Sequence, residues 1–513
     1  TQHSTRSPQF TLRHITAQEM IDTMKEINPI KASDIHKIKP AIIKELTPFL
    51  APILTALFIT AIDENRYPDA LKLTKLIELY KSNDRSLPAN YRPISLLPIV
   101  AKILDTLINN QLMEHLTTHH SISPTQYASR PNSSTTLALQ TIINNIHKHK
   151  SKRKPTLAIY IDLSKAYDTI SHEKLLHKLR HQFNSAENTT AFFNSYFQNR
   201  QQFTHTQHAQ SDMQTITHGI PQGSTLSTTF FLLYINNIIQ TVPSSKVYTY
   251  ADDTTLIITA NTIQDLQTLA QSELSNLINL HNNNLVPNPT KTNYTIFYLA
   301  QQQLRQQIKL SINSTVLAQN KSAKLLGIYM QDTLKHQNTV TNIIKKLQPL
   351  IHQFRYATKL LPTSIMKQLY YTHAYPHLIG SIPIWGTTND KKTYMQPLIR
   401  TQKKIIRIIK NQPPRTHTKP IMKELNILNI TNLYKLRVCL EMHPFEHSTR
   451  YATQQHHYIP NSNSTKPTHN TEHLTQRYTT IWNELPLELK ITRSCTRLKT
   501  QLTQHLMSKQ NLE

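Results

Sequence analysis

Two adjacent carboxylates, Asp252 and Asp253, follow Tyr250-Ala251 where a run of alternating residues breaks. Val247, Thr249 and Ala251 fall on one face, Tyr248 and Tyr250 on the other, and strand character resumes at Leu256-Ile257-Ile258. The pattern predicts a β-hairpin with the aspartates at or beside its turn. Neighbouring strand residues point to opposite faces, so one aspartate would face a site while the other supports it. Crowded carboxylates at a hairpin tip repel unless they share a cation, and a hard, oxygen-liganded ion such as Mg²⁺ suits them. Taken alone, the four residues fit a solvated acidic turn equally well. A second acidic position changes the balance. Leu157-Ala158-Ile159-Tyr160-Ile161 is an unbroken apolar run of buried-strand length, and it ends on Asp162. Open sheets place their chemistry beyond strand ends, and a hairpin beside this strand would bring Asp252 to Asp162. Carboxylates holding two cations about 3.5–4 Å apart form the clamp used for in-line phosphoryl displacement.

The segments around these aspartates favour nucleotide addition. Tyr167 stands five residues beyond Asp162, ahead of Asp168. Between the acidic motifs, Gly219-Ile220-Pro221-Gln222-Gly223-Ser224-Thr225-Leu226-Ser227 precedes the apolar run Phe230 to Ile235, which reads as a glycine-bearing turn and a buried helix. Glycine permits a close backbone approach, and the Gln222 amide has donors and an acceptor for a nucleotide.

In order along the chain, Asn90-Tyr91-Arg92-Pro93-Ile94-Ser95-Leu96-Leu97, Asp162 to Asp168, Gly219 to Ser227, Tyr250 to Asp253, Asn288-Pro289-Thr290-Lys291-Thr292 and Leu325-Leu326-Gly327-Ile328 resemble the reverse transcriptases of non-long-terminal-repeat (LINE-type) retrotransposons, Jockey-like elements above all. The likeness covers roughly residues 25–335 and continues more loosely through Trp385-Gly386 to Trp482-Asn483-Glu484-Leu485-Pro486. It implies an α+β right-hand polymerase with fingers, a palm sheet and a helical thumb. By this resemblance Asp162, Asp252 and Asp253 are the catalytic carboxylates. Asp162, the Leu163 carbonyl and Asp252 hold two divalent ions, Mg²⁺ or Mn²⁺. The resemblance further implies that Arg92 and its companion Lys81 would meet the incoming nucleotide, that Tyr167 would be the gate against a ribose 2′-hydroxyl, and that Gln222 would lie near the sugar. On the same resemblance Lys291 would be a proton donor to pyrophosphate, and Leu326-Gly327 would be the primer grip. Outside the motif Tyr167 reads as a core aromatic, Lys291 as a solvated lysine and Asp168 as a structural carboxylate.

The implied partners are an RNA template, a DNA primer, deoxynucleoside triphosphates and a separate or missing endonuclease part. The site of action would be nucleus and cytoplasm. Two other readings stay open: a decayed or domesticated copy that only binds nucleic acid, and a related palm polymerase such as an intron maturase. Glycines expected near Lys31 to Ile35 and at Ala128 are absent, which favours decay; intact Asp162, Asp252 and Asp253 favour activity.

Composition agrees. Lys and Arg number 57 against 30 Asp and Glu, a formal net charge of +27 that favours polyanionic partners. No apolar stretch is long and charge-free enough to span a bilayer, and two cysteines cannot build a disulfide framework. Only five glycines occur, all inside motif-like segments, so each is expected where a Cβ would be intolerable.

The expected organisation is a polar lead-in over 1–20, fingers and palm over 21–335 and a helical thumb or connection over 336–445. A flexible connector over 446–476 and a small helical module over 477–513 follow. Helical spacing runs from Ile42 to Ile62, with a break near Pro52, and from Ile99 to Leu116. The chain opens on Thr1, as a fragment of a longer polyprotein would.

Overall fold

Apolar residues on both faces of one strand organise the molecule. The computed structural model describes residues 8–512 except 82–83, 132, 164–165, 207–208, 243, 279–284, 298–307, 390–392 and 448–473. Its first helices are α1 (Ala17–Lys25), α2 (Pro40–Glu45) and α3 (Thr47–Asp63). Strands β1 (Leu73–Tyr80) and β2 (Tyr91–Leu96) form a hairpin, followed by α4 (Ile99–Thr118), α5 (Thr135–Ser151) and β3 (Thr156–Ile161). Next come α6 (His172–His181), α7 (Glu187–Phe197), β4 (Gln201–Thr204), β5 (Gln214–Thr215) and α8 (Thr225–Ile235). Strands β6 (Lys246–Tyr250), β7 (Asp253–Thr259) and β8 (Asn293–Phe297) complete the part that positions the site.

Two sheets matter for function. One has the order β2-β1-β4-β5; the other runs from the short strand Ala318–Gln319 through β8, β3 and β7 to β6. In the second, β3 lies between β7 and β8, antiparallel to both. Its alternate residues enter different cores. Leu157, Ile159 and Ile161 pack with α4, α7 and α8 residues, whereas Ala158 and Tyr160 face a core that extends into the C-terminal helices. Burial on both faces is why β3 reads as a continuous apolar run rather than an alternating one.

One expectation needs correction. The helix break falls at Leu46, between α2 and α3, and Pro52 sits inside α3. Pro48 in the first turn of α3 costs no hydrogen bond there and favours a new helix start. Within the lead-in Phe10, Leu12 and Ile15 are buried, and Phe10 N donates to Asn184 O at 2.9 Å. Thr16 and Glu19 then close a capping box on α1. In the C-terminal segment Tyr478, Trp482, Leu498 and Leu502 join the second core. The connector expected over 446–476 lies mostly outside the described residues.

Beyond residue 336, the helix Gln337–Ala357 buries Val340, Ile343, Leu347, Ile351 and Phe354 along one face. It packs on the helix Met395–Ile409, which buries Leu398, Ile405 and Ile406. No helix among the described residues is long and apolar enough to cross a membrane.

Candidate active site

Strand pairing brings the acidic segments together. Ile161 pairs with Thr254 across β3 and β7, so Asp162, one residue on, continues the register towards Asp253. Tyr250 pairs with Asp253, leaving Ala251 and Asp252 as the two-residue loop between β6 and β7. Ala251 has φ +53°, in the left-handed region that a Cβ disfavours by about 1–2 kcal/mol. Strain of this kind persists where surrounding structure enforces it.

Burial pushes the Asp253 carboxyl above the ordinary aspartate range, and the Asp252 and Asp162 charges push it further, with Lys324 opposing. The Asp253 carboxyl therefore feels the charge of both other aspartates. Every donor they offer is a hard oxygen, and concentrated negative charge among such oxygens suits a divalent cation. Among the described residues no three His, Cys, Asp or Glu side chains close into a ready-made metal cage. Asp162 Oδ2 instead lies 3.6 Å from Lys291 Nζ.

The loop carrying Lys291 is stitched to the end of β3. Asn288 N donates to Asp162 O at 2.7 Å, Asp162 N donates to Thr292 Oγ1 at 3.3 Å, and buried Leu163 bridges to Pro287. Asn288 shapes its own turn by accepting from Thr290 N and Oγ1. Sequence order separates Lys291 from Asp162; the sheet makes them neighbours.

Tyr167 stacks on Phe231 of α8, with ring centroids 4.6 Å apart and planes 9° from parallel. Its phenol is pushed up to about 12, by burial first and then by the Asp252 charge. The ring is thus half core aromatic and half wall of the aspartate site. Asp168 proves to be a supporting group: its Oδ1 accepts from Gln222 Nε2 at 3.1 Å. The Asp168 segment is also laced to the glycine motif, because Ile220 N donates to Tyr167 O and Gly219 N to Ile170 O.

Gln222 reaches the other sheet through its backbone. Its carbonyl accepts from Ser95 N of β2 at 2.9 Å. Gly223 has φ +142°, and a Cβ there would meet Ser95 O at 2.7 Å. Gly223→Ala is therefore expected to cost about 1–3 kcal/mol of stability and to push β2 away from the turn. Urea unfolding checks this; an unchanged midpoint would refute the close approach. Gly219 is equally constrained against Asp168, but two other glycines are not. Gly380 has an ordinary φ and a nearest contact of 3.3 Å, and Gly327 has open space around it. Gly327 is instead demanded by conformation: Leu326 at φ +45° and Gly327 at φ +88° form the turn between the paired strands Ser322–Leu325 and Ile328–Gln331.

Arg92 and Lys81 lie on the β1–β2 hairpin, both exposed. Arg92 pairs with Leu79, and Lys81 N donates to Asn90 O, so strand alternation puts both cations on one face. Among the described residues no ion pair joins either of them to the aspartates.

Two groups escaped the sequence reading. Lys324, next to the Leu325-Leu326-Gly327 segment, alternates outward between buried Ala323 and Leu325, and so comes to oppose the charge on Asp253. Asp105 is fully buried in α4. Its signal was an acid at helical spacing among Ala101, Ile108 and Leu112.

Residues 80–330 match the family model described as Reverse transcriptase (RNA-dependent DNA polymerase). This stretch is a reverse transcriptase domain. Similarity continues beyond it. A probable RNA-directed DNA polymerase from transposon BS of Drosophila melanogaster is 23% identical over 467 residues, 87% of this chain and 49% of that protein. The RNA-directed DNA polymerase from mobile element jockey is 22% identical in the same species, over 84% of this chain and 48% of that protein. Its Drosophila funebris counterpart is 22% identical over 81% of this chain and 46% of that protein. The chain spans about half the length of these curated relatives. The LINE-type likeness of the motifs thus extends over most of the chain, and the reverse transcriptase domain contains the aspartates, Tyr167, Gln222, Lys291 and Gly327.

Proposed function

We propose that this chain is an RNA-templated DNA polymerase that extends a DNA 3′-hydroxyl with deoxynucleoside triphosphates, in the target-primed manner of LINE-type elements. One observation carries the reading: the β3–β7 register gathers Asp162, Asp252 and Asp253 at one sheet end, beside a half-exposed aromatic ring. In this reading the β1–β2 sheet is the fingers, the five-stranded sheet the palm, and the helices after residue 336 the thumb, whose lysines and arginines take phosphates without reading sequence.

Asp162, Asp252 and the Leu163 carbonyl would hold two Mg²⁺ or Mn²⁺ ions, which when bound acidify the attacking 3′-hydroxyl and take up charge on pyrophosphate. The remaining work belongs to side chains. Arg92 and Lys81 draw the triphosphate in and neutralise its oxygens. Gln222, its amide oriented by Asp168, hydrogen-bonds near the sugar. Tyr167 blocks a 2′-hydroxyl. Lys291 Nζ, already beside Asp162, supplies a proton to the departing pyrophosphate oxygen. The Leu326-Gly327 turn holds the primer strand. Target DNA would be nicked by a separate endonuclease or by an endonuclease part lying outside this chain, and the work would proceed in nucleus and cytoplasm.

Primer extension on an RNA template with a DNA primer tests the proposal. Incorporation of dNTPs that requires Mg²⁺ or Mn²⁺ is expected. Tight template–primer binding with no incorporation under either metal would favour a copy that only binds nucleic acid.

A further inference from the structure

The fully buried Asp105 joins segments far apart in the chain. Tyr67 Oη donates to its Oδ1 at 2.9 Å, and Ser224 Oγ donates to its Oδ2. Ser224 Oγ in turn accepts from Leu226 N and Ser227 N, capping the start of α8. The Arg200 guanidinium, also fully buried, lies over the Tyr196 and Tyr67 rings at 4.1 and 5.6 Å and donates from Nε to Tyr196 O. Its terminal nitrogens make no hydrogen bond, yet its charge offsets part of the burial penalty on Asp105.

The cluster stands at the root of the sheet that carries Arg92. Tyr67 precedes β1, and Arg200 immediately precedes β4, which pairs with β1 from Leu73 and Gln201 onward. On the other side Ser224 follows the Gln222–Gly223 turn, which already meets Ser95 of β2 through its backbone. A buried carboxylate is costly unless its hydrogen bonds are satisfied, so the cluster tolerates little displacement.

We propose that Asp105 is a positioning residue for the incoming nucleotide: through Ser224 it fixes the Gln222–Gly223 turn against the strand that bears Arg92, and so sets deoxynucleotide affinity. The inference rests on the nucleotide-binding reading of Arg92 and Gln222 given above. Two variants of the full chain test it, Asp105→Asn and Ser224→Ala, with Ser224→Thr as the conservative control that keeps the hydroxyl. Each of the first two should raise the dNTP KM about tenfold, with kcat within about threefold and template–primer Kd unchanged. The double variant should be no worse than the poorer single one, because both cut the same link. Ser224→Thr should return KM towards wild type.

Hydrogen exchange gives a readout independent of turnover. Amides of Ser95, Leu226 and Ser227 should exchange faster in both variants, while those of β3 and β7 stay protected. If Asp105→Asn does not fold, Ser224→Ala decides alone. A folded Ser224→Ala protein with wild-type KM and wild-type exchange overturns the proposal. Should the wild type add no nucleotide, the polymerase reading fails, and exchange at Ser95 still decides whether Asp105 holds the turn.

Discussion

Asp252→Ala is expected to lower nucleotide incorporation by at least roughly 10³-fold, the scale on which removing a preorganised charge-stabilising group acts. Template–primer affinity should stay within about twofold, since the proposed function assigns phosphate contacts to the helices after residue 336 rather than to the hairpin loop. Asp252 sits in the loop after β6 and contributes no strand pairing, so its loss removes chemistry without removing a ladder bond. It also removes one of the charges that push Asp253 up. Single-turnover extension on a preassembled template–primer measures the effect. Activity within tenfold of wild type would mean that the aspartate cluster does not carry the reaction.

Tyr167→Ala should relax sugar discrimination by roughly 10²-fold in kcat/KM for a ribonucleotide against its deoxy counterpart. The ring is held flat on Phe231, so it cannot swing aside to admit a 2′-hydroxyl without giving up that stack. Deoxynucleotide incorporation should fall less, because Gln222 and Arg92 remain in place. Competition between the two sugar types on one template measures the ratio. Unchanged selectivity would return Tyr167 to the role of a core aromatic and leave the gate to another group.

Much of this site was readable before folding, and the reasons are local. Alternation around Tyr250 and the apolar run into Asp162 are period-two signals, and such signals survive in sequence because each strand must bury its own faces. The hairpin, β3 and α8 all follow their patterns. The break in the first helices was misplaced because Pro52 and Pro48 look alike in sequence, although only a first-turn proline starts a helix without cost. The lead-in hid Phe10, Leu12 and Ile15 in an alternation too short to stand out from its polar neighbours.

The sequence by itself determined which groups are candidates for chemistry: three aspartates, one aromatic ring, one glutamine and the cations of two remote segments. Only the tertiary structure decided who stands beside whom. Register across β3 and β7 carries Asp162 towards Asp253, a loop returning along β3 puts Lys291 beside Asp162, Lys324 comes to oppose Asp253, and Asp105 bonds the serine after the Gln222–Gly223 turn. Such pairings depend on strand order and packing over long sequence separations, and no local pattern of residues encodes them.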